Sequence, residues 1–166
     1  MTAIAIRPEE KGDEIAIRDL TRAAFDGTEW SDGSEPAIID RLRRDGDLAL
    51  SLVAEAGGAI VGHIAFSPVA IGDGSSGWFG LGPVSVRPDM QKRGIGAMLV
   101  RQGIELMKRR GARGIVLLGD PAYYGRFGFA HDPQLSYPGP PAEYFQRLVL
   151  GGDIPKGVVT YAPAFG

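Results

Sequence analysis

The run from Trp78 to Leu118 constrains this chain more than any other part of it. A strand pattern at Trp78–Arg87 leads through a polar loop into the longest helical pattern, Ile95–Arg110, and then into a compact apolar strand at Gly114–Leu118. Strand, helix and strand in that order predict two neighbouring parallel strands joined by a right-handed crossover. Within the helix, Ile95, Met98, Leu99, Leu106 and Met107 recur at helical spacing and predict a buried stripe. Gly103 costs that helix about 1 kcal/mol against Ala; close packing on a sheet would explain it, and so would chance.

The flanking segments supply more of both element types. Thr2–Arg7 reads as an edge strand that Pro8 breaks. Asp13 is placed to cap a helix whose apolar stripe is Ile15, Ile17, Leu20, Ala24 and Phe25, ending at Asp26-Gly27. A second helix fits Ser34–Arg44, with Pro36 in its first turn and Ile38, Ile39 and Leu42 on one face. Leu48–Ala56 and Ala59–Val69 read as a hairpin about Gly57-Gly58. After the central unit come an aromatic and glycine segment at Asp120–Phe129, a proline-rich connector at Tyr137–Pro141, a helical turn near Ala142–Val149 and a strand at Gly157–Tyr161. The order predicts an α/β or α+β mixed sheet. A length of 166 residues favours one domain over 1–166.

Composition removes several functions. With no cysteine there is no disulfide, thiolate metal site or cysteine nucleophile, and no metal is expected. A net charge of −2 lacks the basic excess of a dedicated nucleic-acid binder. Arg41–Arg44 reads as a solvated helix face, and Lys108–Arg113 as cations complementing a helix C-terminus. Met1–Glu10 has no signal-peptide pattern, and no apolar run approaches the roughly 18 residues of a membrane span. The expected location is cytoplasmic, with no membrane partner.

Gln91-Lys92-Arg93-Gly94-Ile95-Gly96 stands between a strand and the start of the long helix. The first turn of a helix has four N–H groups without internal partners, and the macrodipole adds partial positive charge there. Glycines at 94 and 96 let an anion approach the backbone, and Lys92 and Arg93 add formal charge. These are the ingredients of a diphosphate site; the plainer reading is a loop that only caps a helix. Upstream, Gly82-Pro83 interrupts the strand. Glycine there marks a bulge and proline cannot donate to a ladder, so backbone groups are left free; an ordinary edge interruption is the rival.

Gln91-x-x-Gly94-x-Gly96 resembles the acyl-CoA signature of the GCN5-related N-acetyltransferases, Arg/Gln-x-x-Gly-x-Gly/Ala. The resemblance implies a mixed, mostly antiparallel sheet with a splayed central parallel pair, flanked by helices. It implies that Gln91, Lys92, Arg93, Gly94, Ile95 and Gly96 hold the pyrophosphate of acetyl-CoA, and that the backbone of Val84, Ser85 and Val86 receives the pantetheine arm. The family uses a strand break such as Gly82-Pro83 to admit that arm. The likeness, to a bacterial subgroup of the family, continues through Gly119–Phe129, Tyr137-Pro138-Gly139-Pro140, Phe145 and Gly157–Phe165.

In Tyr123-Tyr124-Gly125-Arg126-Phe127-Gly128-Phe129, Tyr124 lies four residues before a Gly-Phe pair. In the family that tyrosine protonates the departing thiolate. A phenol of pKa about 10 is protonated at pH 7, and a thiol has a pKa near 8.5, so the transfer needs only hydrogen-bond reach. Tyr123 reads as aromatic packing, and Arg126 as a structural ion pair rather than a carboxylate anchor. Two departures stand out. Relatives place an Asn before the tyrosine where this chain reads Leu117-Leu118-Gly119-Asp120-Pro121, and they place a Glu on the strand where Trp78–Arg87 has no acid. Glu29, Asp32, His63 and Asp120 are base candidates, alongside a water chain or no base at all. Asp26–Pro36, with Thr28, Glu29, Trp30, Ser31 and Asp32, corresponds to the family's acceptor region and suits a cationic amine. The implied activity is acetyl transfer to a primary amine of a small molecule or peptide. The alternative is a non-catalytic acyl-CoA-binding sensor or interaction module. Family members often dimerise, so the resemblance admits a homodimer.

Overall fold

The computed structural model describes residues 3–29 and 31–166; Thr2 and Trp30, which enter the sequence reading, lie outside them. A six-stranded sheet is built from β1 (Ile4–Pro8), β2 (Leu50–Ala56), β3 (Ala59–Pro68), β5 (Trp78–Val86), β6 (Gly114–Leu118) and β8 (Phe145–Val149), in that spatial order. Every neighbouring pair is antiparallel except β5–β6, which is parallel. A three-stranded sheet joins β4 (Ala70–Ile71), β9 (Gly157–Thr160) and β7 (Leu135–Ser136) in that order. The helices are α1 (Glu14–Phe25), α2 (Glu35–Asp45), α3 (Ile95–Arg109) and the single turn α4 (Pro121–Tyr124).

The two faces of the large sheet are covered differently. On one face α3 buries Ile95, Leu99, Val100 and Met107 against Ile64, Phe66 and Ile115. Its approach is close: a Cβ at Gly103 would lie 2.5 Å from Phe66 Cε1, and one at Gly62 would lie 3.0 Å from Leu99 Cδ1. Packing, not chance, therefore explains Gly103. On the other face Ile17 of α1 and Ile39 of α2 pack with Val53. A separate cluster of Trp78, Val116, Phe145 and Val159 ties the small sheet to the large one.

Several sequence expectations are corrected. Ile15 and Met98, assigned to buried stripes, are 66% and 40% exposed; each lies on the edge of its helix where the apolar arc has already turned to solvent. Ala142–Tyr144 is one 3-10 turn, and the residues after it form β8 rather than helix, because pairing with the edge of β6 overrides local preference. Asp13 makes no capping hydrogen bond to α1. Its carboxylate instead accepts from Arg7 at 2.7 Å and from the Glu10 amide at 2.7 Å.

Candidate active site

The sheet opens where the parallel pair ends. β5 and β6 pair only through Trp78–Gly80 and Gly114–Val116. Beyond Gly80, β5 bulges against β3 between Ile64 and Phe66 and continues to Val86 beside β3 alone, while β6 continues beside β8. A gap is left between two strands that share a sheet.

Backbone direction decides what faces that gap. The Arg87 amide donates to Val61 O of β3, and strand residues alternate in the edge they present. Ser85 therefore turns its backbone toward β3, and Val84 and Val86 turn theirs toward the gap. Consistent with this, Val86 O accepts a hydrogen bond from Gln91 Nε2 at 3.0 Å. Ser85 also sends its buried hydroxyl to the opposite face, where its oxygen has no partner among the described residues.

The gap leads to the N-terminus of α3. Gly94 is the N-cap residue, with a left-handed φ of 82°, which glycine adopts without penalty. Lys92 is left-handed too, with φ 64°, an uncommon conformation for a residue with a Cβ. Such turns aim consecutive N–H groups at one point and make an anion-binding concavity. A Cβ at Gly96 would meet nothing closer than 3.7 Å, from Tyr123 Oη and Val86 Cγ2, so the first turn of α3 is open to the cleft.

Strand, loop and α4 together enclose a cleft of ≈ 720 Å³, lined by Val84, Val86, Met90, Gln91, Lys92, Gly94, Ile95, Gly96, Ala97, Tyr123, Tyr124 and Arg126. Of the predicted site residues, Ser85 and Arg93 are outside this lining. Four lining residues were not assigned to the site from sequence: Met90, Ala97, Tyr123 and Arg126. The signal for the last two was present, since residues three apart share a helical face and α4 runs on into a 3-10 turn at Gly125–Phe127.

Tyr124 is held by aromatic contacts with Tyr123 at 4.9 Å and Phe129 at 6.2 Å between ring centroids. Its ring lies against Gly119, where a Cβ would collide with it. Burial, with a contribution from Tyr123, pushes its phenol up to about 12. Arg126 has no acidic partner among the described residues, contrary to the ion pair expected of it. It lies over the Tyr123 ring instead, 4.3 Å from the centroid.

None of the base candidates lines the cleft. Asp120 caps α4, accepting from the Ala122 amide at 2.9 Å. His63 is fully buried, with Nε2 2.8 Å from Ser51 Oγ, and burial pushes its pKa down to about 4. It is a neutral core residue. Asp32 accepts from the Ser34 hydroxyl and amide, and Glu29 is exposed. On the face of β5 away from α3, a Cβ at Gly80 would lie 2.5 Å from Tyr161 Cε1, so an aromatic ring fills the place of a side chain there. The connection between α1 and α2 encloses a second cavity of ≈ 380 Å³ whose lining includes Arg22, Asp26 and Glu35.

A broken parallel pair, a glycine turn opening a long helix and a tyrosine in the lining of the cleft between them occur together in this fold, and residues 14–129 match the acetyltransferase (GNAT) family. The chain belongs to that family. It is 36% identical over 158 residues to the uncharacterized N-acetyltransferase YhbS of Escherichia coli (strain K12), covering 92% of this chain and 91% of that one. Its fold matches a GNAT family acetyltransferase from Brucella melitensis, in complex with acetyl-CoA, with a TM-score of 0.89, 48% identity and 99% of each chain covered. It matches the YhbS structure from Escherichia coli, in complex with CoA, with a TM-score of 0.90 and 32% identity over 99% of this chain and 93% of that one. No helix among the described residues is long and apolar enough to cross a membrane.

Proposed function

We propose that this chain, as one catalytic unit over residues 1–166, transfers an acetyl group from acetyl-CoA to a primary amine by direct attack. The carrying observation is the cleft itself. Its two unprotected backbone edges, Val84 and Val86 on β5 and the Gln91–Gly96 turn on α3, meet along one groove lined by cations and by no acid.

The residues fit an acyl-CoA donor. The Gln91–Gly96 amides, Lys92 beside them and the α3 dipole would bind the pyrophosphate. The gap-facing backbone groups of Val84 and Val86 would pair with the amides of the pantetheine arm, as an added strand does, with Val86 O sharing its lone pairs with Gln91 Nε2. Arg93 lies within the same turn but outside the cleft lining, and contributes charge at longer range. Ser85 acts through its pairing with His63 on β3, which fixes the register of its two neighbours. Acetyl-CoA supplies the thioester whose acetyl group the amine takes. Tyr124 Oη holds a proton throughout the working pH range, because burial keeps its pKa about 12. As the C–N bond forms and the C–S bond breaks it can give that proton to the thiolate sulfur, uphill against a thiol of about 8.5, and be reprotonated by the proton that the acetylated amine sheds. The cavity between α1 and α2, with Asp26 and Glu35 in its lining, would receive a cationic small-molecule or peptide amine. The enzyme would act in the cytoplasm, with a homodimer as the family analogy.

The test is release of free CoA thiol from acetyl-CoA with a panel of primary amines, read for wild type and Tyr124→Phe. The expected result is turnover with at least one amine, with kcat lower by roughly 10²-fold in the variant and acetyl-CoA affinity unchanged. Tight acetyl-CoA binding with no transfer, identical in both proteins, would overturn the reading in favour of a binding module.

A further inference from the structure

We infer that Arg126, laid on the Tyr123 ring, is the recognition site for the 3′-phosphate of CoA, so that the cleft discriminates CoA from its 3′-dephosphorylated form. The inference rests on the acyl-CoA reading of the same cleft and extends it to a residue on the opposite lip.

The cleft lining contains two formally charged side chains, Lys92 and Arg126, and no acid. Neither has an acidic partner within ion-pair distance among the described residues. Lys92 stands in the turn that opens α3, where the backbone concavity already serves a diphosphate. Arg126 stands across from it, on the 3-10 turn that follows α4. Tyr123 reaches the first turn of α3, since its hydroxyl and Val86 Cγ2 are the two groups nearest to a Cβ placed on Gly96, each at 3.7 Å.

The posture of Arg126 is specific. Its Nε donates to Tyr123 O at 2.8 Å and its guanidinium carbon lies 4.3 Å from the Tyr123 ring centroid. One edge of the fork is thereby tied down and one face covered, which fixes the plane. The two terminal nitrogens remain, and a planar pair of donors matches phosphate oxygens. CoA carries one anionic group besides its pyrophosphate, the ribose 3′-phosphate. A second cationic site, separate from the diphosphate turn and on the facing wall, is what that group requires.

The experiment is isothermal titration of wild type and Arg126→Ala with CoA and with 3′-dephospho-CoA, four titrations in all. The expected result is that wild type binds dephospho-CoA roughly 10-fold more weakly than CoA, the difference carried by a charge-assisted contact, and that Arg126→Ala loses the same factor for CoA and nothing for dephospho-CoA. Equal weakening of both ligands would assign Arg126 to the pyrophosphate or to the wall itself and overturn the inference. Unchanged CoA affinity in the variant would overturn it too. Failure of wild type to bind either ligand would remove the acyl-CoA reading on which it stands. Arg126 is exposed, so the variant keeps its fold, and circular dichroism checks this.

Discussion

Gly94 and His63 show how differently single residues carry this molecule. Gly94 sits at a φ of 82° with nothing within 4 Å of where its Cβ would be. Any substitution there is strained, but only an acidic one puts negative charge into the cleft. His63 contributes to stability, with a definite pH dependence. Its native pKa is lowered to about 4 by burial, against about 6.5 when unfolded. Between those values the unfolded chain takes up a proton that the native one refuses. The stabilising effect is whole above about pH 6.5 and is lost as pH falls toward 4, by about 3 kcal/mol over the whole interval. Urea midpoints from pH 7 to pH 4.5 should fall more steeply for wild type than for His63→Gln; parallel curves would show that His63 is protonated in the native state.

Elements set the geometry that residues exploit. The N-terminus of α3 reaches the gap because α3 lies low on β3, and it lies low because Gly62 and Gly103 have no side chains at the contact. Gly103→Leu would drive atoms into Phe66. We expect a loss of about 1–3 kcal/mol in a denaturant titration, whereas Gly111→Ala, with open space around it but a φ of 86°, should cost only the backbone strain of about 1 kcal/mol. Much of this level was legible in the sequence: the strand–loop–helix–strand run, the hairpin at Gly57-Gly58 and the turn at Gln91–Gly96 are local patterns. What was not legible depends on distant partners. β8 forms only because β6 offers an edge, and β4 and β7 are two-residue strands that exist only against β9. Tyr123 does pack, on Tyr124 and Phe127; the helical spacing that pairs it with Arg126 was legible, but not that this face of a short helix would line the cleft. Ser85 looked equivalent to its neighbours because the edge a strand residue presents is decided by its pairing.

At the scale of the whole molecule, the gap between β5 and β6 is a wedge whose two strands pair elsewhere, β5 with β3 and β6 with β8. A ligand that bridges the wedge should stabilise the native fold. Acetyl-CoA at 100 times its Kd should contribute about 2.7 kcal/mol and raise Tm by roughly 5–10 °C, read by calorimetry; an unmoved Tm at saturating ligand would mean the wedge is not its binding place. The most direct test of the central claim, that the turn opening α3 is the diphosphate site, is isothermal titration of acetyl-CoA into wild type, Gly94→Ala and Gly94→Glu. Both variants share the backbone strain, and only one carries a negative charge. The account predicts micromolar binding by wild type, retained within a few-fold by Gly94→Ala and abolished in a folded Gly94→Glu. Equal affinity in the two variants, or no binding by the wild type, would contradict it.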